Sequence, residues 1–173
     1  MVFRRAFHPV FRRAFRPVFR RSLESREAEI ARKVFGDALD LTALTLAEGG
    51  LLGSFGVART LPRLVTFPRG ILTTPQNQAR YERWLVHELT HAFQYQHGRS
   101  VLSLLPTAFA GFFVKGLYDY GGVEGLRGKV FRDFNSEQQA NILADYYYLS
   151  TYSPGCDLSA YEPYVEFVRS QVR

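Results

Sequence analysis

Residues 84–98 read WLVHELTHAFQYQHG and hold three of the four histidines in the chain, two of them in the pattern H-E-x-x-H. At ~100° per residue, His87 and His91 lie one turn apart on the same face of a helix, so both imidazoles reach toward one point. Leu85, Leu89, Ala92 and Phe93 turn largely the other way and supply an apolar back for packing. Glu88 stands beside His87, within reach of a water on a metal held by the histidines, where it can take a proton without being a ligand. The stretch therefore predicts a zinc-binding helix packed against a core.

The residues around it set the helix limits. Thr74 as N-cap and Pro75 at the first helical position predict a start near Pro75, and Gly98 predicts the stop after Gln96. Upstream, SLESREAEIARKVFG reads as a helix ending at Gly36, with Ile30, Val34 and Phe35 on its buried side. LDLTALTLAEGG and VARTLPRLVTFPRG read as strand material, the second broken near Pro62, with LVTF placed close to the site. Downstream, Asn135 or Ser136 caps a second long helix, EQQANILADYYYLST, which Pro154 and Gly155 end; a last helix closes the chain. This is an α+β layout: a small sheet on the H-E-x-x-H helix, a second long helix, and a mostly helical C-terminal half.

Two third ligands compete. The spacing to His97, H-E-x-x-H-x-x-Q-x-x-H, approaches the metzincin pattern. That pattern has Gly where Gln94 stands, because the chain must turn sharply to bring the third histidine back. With Gln94 the helix continues, leaving His97 ~9 Å along the axis from His91. The metzincin Met-turn is also excluded, since Met1 is the sole methionine. His97 then reads as a histidine at the helix C-terminus. The other choice is Glu137, which shares a face of the second long helix with Asn141, Ala144 and Tyr148, Asp145 lying at its edge. Glu137 would complete a His2Glu zinc site with one open position. Asn141 and Asp145 are candidates for orienting the ligand histidines, and Asp145, Asp133 and Glu124 remain alternative ligands. Tyr148 and Tyr120 are candidate donors to a developing oxyanion, with Tyr118 of the same YDY segment as a further one.

HELTHAFQ followed by a helix that begins Glu-x-x-x-Asn resembles the gluzincin metallopeptidases, whose third ligand is a glutamate on a downstream helix. ARKVFGDALDLTALTL, LVTFPRGI and ERWLVHELTHAFQYQ together resemble the bacterial metallopeptidase-like domain associated with extracellular contractile injection systems. The likeness is close over residues 30–98 and looser over DFNSEQQANILADYYY. It implies a zincin-like fold, Zn2+ held by His87, His91 and Glu137, Glu88 as general base, and hydrolysis of peptide bonds in a protein or peptide substrate. A non-catalytic scaffold, adaptor or cargo domain of a secretion or injection system is the alternative.

Composition narrows the rest. The chain has 173 residues and 46% hydrophobic content, enough for one core, and a net charge of +6. Seven arginines and no acid fall in residues 1–21; the remaining 15 basic residues nearly balance 16 acidic ones. Those first residues repeat an octapeptide, VFRRAFHP VFRRAFRP VFRR, and read as a flexible basic tail ahead of a single domain over 22–173. The near-neutral body argues against a nucleic-acid or anionic-membrane partner recruited through the tail. Cys156 is the one cysteine, so a disulfide within the chain and a cysteine-based zinc site are excluded. The apolar run 101–117 is broken by Pro106 and Lys115 and is too short to span a bilayer. The FRRAF units look like an export signal, but a charged stretch follows where an apolar one is required. A cytoplasmic monomer, delivered by a secretion system if it leaves the cell, is the expectation.

Overall fold

A computed structural model describes residues 17–49, 58–74, 77–100 and 116–172. Most of the basic repeat, the start at Pro75 and the apolar run 101–115 lie outside the described residues.

The element order is β1 (Pro17–Arg21), α1 (Ser25–Phe35), β2 (Thr45–Gly49), β3 (Arg59–Leu61), β4 (Leu64–Phe67), α2 (Gln78–Gln96), α3 (Gly122–Leu126), a 3-10 turn (Phe131–Asp133), α4 (Ser136–Tyr152) and α5 (Glu162–Arg169). The fold is α+β, with a four-stranded mixed sheet ordered β1-β2-β4-β3. β2 and β4 are the parallel inner pair, with Leu46 opposite Val65 and Glu48 opposite Phe67. Their inner position buries Leu46, Ala47, Val65 and Phe67 completely, each large side chain stabilising by roughly 1.5–3 kcal/mol. β1 and β3 are antiparallel edges.

Two expected boundaries move. α2 starts at Gln78, with the Asn77 side chain accepting from the Arg80 amide at 2.9 Å, so Asn77 and not Thr74 is the cap. The third copy of the octapeptide is strand β1 rather than tail, because its backbone pairs with β2. Arg21 in that copy grips buried Glu27 through both guanidinium nitrogens, at 2.5 and 2.8 Å. Both other helix ends follow the expected chemistry. After α2, Gly98 at φ 89 lets the amides of Gly98 and Arg99 close on the carbonyls of Tyr95 and Gln94. Before α4, Asn135 and Gln138 exchange side-chain and backbone bonds at 2.9 and 3.1 Å.

Buried acids tie these elements together. Glu48 on β2 accepts from the amides of Gly70, Leu72 and Thr73, fixing the turn between β4 and α2. Glu82 on α2 is fully buried and accepts from Arg26, Gln78, Tyr147 and Tyr152, which joins α1, α2 and α4. Burial opposes its ionisation, but these four donors outweigh burial and hold its pKa down to about 2. A depressed carboxylate stabilises above its unfolded pKa, about 4.5, and that stability is lost as pH falls toward about 2. Glu82→Gln should lower stability at neutral pH by roughly 3 kcal/mol and flatten the acid limb between those values; urea titrations from pH 7 to pH 2 check both.

Candidate metal centre

α2 and α4 run antiparallel and make the most extensive helix contact in the described fold. Partners descend one helix as they climb the other: Arg83 meets Asp145, His87 meets Asn141 and Glu137, His91 meets Glu137, and Gln94 meets Ser136. Ala140 and Ala144 are fully buried in α4, and small side chains at such a contact let helices approach closely.

His87, His91 and Glu137 converge on one point. Glu137 Oε2 lies 3.2 Å from His87 Nε2 and 3.3 Å from His91 Nε2, with side chains 12%, 12% and 8% exposed. One ligand atom from each falls within 4.8 Å of the others, so the group could hold a metal ion. Burial alone would lower the His91 pKa, but Glu137 outweighs it and raises the value to about 9. For Glu137 burial works against ionisation, yet the two imidazoles bring it down to about 2.

The donor set is turned the right way for a metal. His87 Nδ1 lies 2.9 Å from Asn141 Oδ1, and the same amide donates from Nδ2 to the Tyr118 carbonyl at 2.8 Å. His91 Nδ1 lies 3.0 Å from Gln94 Oε1, whose Nε2 donates to Gln139 Oε1 and the Ser136 carbonyl. Since an amide oxygen only accepts, each imidazole donates from Nδ1 and directs Nε2 at Glu137. Two nitrogens and one carboxylate oxygen in this arrangement could hold a divalent metal ion.

Glu88 borders the cluster on the sheet side. Its Oε2 accepts from Thr60 Oγ1 at 2.7 Å, and Tyr95 donates to the Thr60 carbonyl at 3.1 Å, so edge strand β3 holds the acid in place. LVTF is the inner strand β4; it is β3 that reaches the site.

The other expected residues separate. Asn141 bonds His87 as expected, whereas Asp145 bonds Arg83 and Tyr120 and orients neither histidine. Tyr120 spends its hydroxyl on Asp145 and Tyr161 and is buried among them. Tyr148 packs on Tyr152; sharing a helical face with Glu137 does not bring it near, because eleven residues of helix rise ~16 Å. Of the three expected tyrosines Tyr118 is the one beside the cluster, its ring centroid 6.2 Å from that of His87 and 43% exposed. Burial, Glu137 and Glu88 push its hydroxyl up to about 12, keeping it a proton donor at neutral pH. Asn135, Asn141 and Gln138 hold it there by donating to the successive carbonyls of Leu117, Tyr118 and Asp119. His97 stacks on Phe93 and lies 2.9 Å from the carbonyls of Phe93 and Gln171, where it pins the C-terminal segment.

No family model and no solved structure matches the chain. The chain is similar to the type VI secretion system spike protein VgrG2b of Pseudomonas aeruginosa, with 29% identity over 131 residues. That alignment covers 73% of this chain and 13% of the spike protein. Among the described residues no helix is long and apolar enough to cross a membrane.

Metal content discriminates between the two third ligands. If the cluster holds a metal, Glu137→Ala should weaken its binding by more than about 100-fold, beyond the usual cost of losing an outer hydrogen-bond partner. His97→Ala should match the metal content of the wild type and lose only stability, as measured by metal analysis after dialysis.

Proposed function

We propose that the chain is a zinc-dependent peptidase that hydrolyses peptide bonds, and that it works as part of, or as cargo of, a bacterial secretion or injection apparatus. The observation that carries the enzymatic reading is the convergence of His87, His91 and Glu137 with both histidines directed by amides and an acid held alongside. The apparatus reading rests on the similarity to a secretion spike.

His87, His91 and Glu137 would hold the ion. Zinc, when bound, supplies a Lewis acid that makes water a nucleophile near neutral pH and polarises the scissile carbonyl. Glu88, fixed at one oxygen by Thr60, takes the proton of the attacking water and passes it to the leaving amine. Tyr118, poised beside His87, donates from its hydroxyl to the oxyanion that develops on the carbonyl. Thr60 and Tyr118 thus bracket the reacting groups from the sheet and from the segment before α3.

The relative is itself named a spike protein, which favours a second reading: a zinc-stabilised scaffold, adaptor or cargo domain without catalysis. Glu88→Gln separates the two. With a mixed peptide library as substrate and mass spectrometry as readout, it should retain zinc and lose about 100-fold or more of the cleavage rate. Tyr118→Phe should cost roughly 100-fold in kcat at unchanged zinc content. A zinc-loaded wild type that cuts nothing in the library would leave the scaffold reading standing.

A further inference from the structure

We propose that Asn141 and the amide pair Gln94–Gln139 are positioning residues that set the tautomer and the electron supply of the two histidines, holding the centre at a deliberately moderate metal affinity. This rests on the reading of His87, His91 and Glu137 as metal ligands.

Both partners of the histidines are neutral, and neither can turn around. Asn141 accepts from His87 only while its Nδ2 faces the Tyr118 carbonyl; reversed, it would set oxygen against oxygen. Gln94 is locked by a longer relay. Its Nε2 donates to Gln139 Oε1 at 2.9 Å, and Gln139 Nε2 in turn donates to the carbonyls of Phe131 and Phe134 at 2.8 and 3.0 Å. Gln94 and Gln139 are 3% and 2% exposed, so no solvent competes for these bonds. The orientation of His91 is therefore decided by the Ser136 carbonyl, which accepts from Gln94 directly, and through Gln139 by the carbonyls of Phe131 and Phe134, three bonds away from the imidazole.

The charge consequence follows from chemistry. A carboxylate on the far nitrogen of an imidazole makes the near nitrogen a stronger donor and tightens metal binding. An amide oxygen orients the ring equally well and adds no negative charge. The acids whose charge reaches His91 are Glu137, the ligand, and Glu88, the base. An ion here would thus draw less electron density from its ligands and polarise a bound substrate carbonyl more.

The test measures zinc affinity of the full chain by competition with a chelating dye, beside 15N spectra of the histidine rings. Asn141→Asp gives up the bond to the Tyr118 carbonyl and loses stability there, yet it should bind zinc about tenfold tighter, a gain that structural damage cannot produce. Gln139→Met, which leaves Gln94 only its longer bond to the Ser136 carbonyl, should bind about tenfold more weakly and let the His91 ring protonate at either nitrogen, although it touches no ligand. Asn141→Asp binding no tighter than wild type overturns the proposal, whatever the folding of Gln139→Met. If the wild type binds zinc and both variants match it, this inference alone falls; if the wild type binds no zinc, the ligand reading falls with it.

Discussion

Polar side chains buried between α2 and α4 constrain the whole molecule, because each needs a partner from the facing helix at one register. His87, His91 and Gln94 each find theirs on α4, and the partly exposed Arg83 extends the row. An unpaired buried polar group costs roughly 1–3 kcal/mol, so a slip of one residue would strand several at once. Apolar packing tolerates such a slip far better, since it is non-directional. The apolar backs of the helices hold the layers together, and the polar seam decides how they align.

The rest of the site is organised from that seam. Glu82 extends it to α1, and Asn135, Gln138 and Asn141 extend it to the segment that carries Tyr118. On the opposite side, β3 is tied to α2 by Thr60 and Tyr95, which brings the sheet edge to Glu88. Chemistry-bearing groups thus come from three separate chain segments onto one rigid helix pair.

Much of this was legible in the sequence, where the information is local. Helical periodicity placed His87 and His91 together, a Gly stop ended α2, and an Asn cap started α4 so that Glu137 fell in its first turn. Gln94 shows where local reasoning stops. From sequence it is simply a residue that lets the helix continue past the metzincin turn; its bond to His91 exists only because α4 delivers Gln139 to its amide. Tyr118 and Tyr120 differ by two positions and part ways for a similar reason, as Asp145 and Tyr161 claim the second and His87 borders the first. VFRR reads as tail because the ladder that makes it strand β1 belongs to β2, and nothing in those residues announces the partner.

His87 and Glu137 lie 50 positions apart in the chain. An unfolded chain therefore offers an ion only the local histidine pair, and the complete set of ligands exists only after the two helices have docked. For an ion held by these three residues, capture and closure of the helix pair would be one linked equilibrium: its affinity would contain the cost of docking, and free metal concentration would set how seldom the pair opens. Where metal is scarce the centre would loosen first along this seam, and where it is plentiful the ion would act as a clasp on the fold.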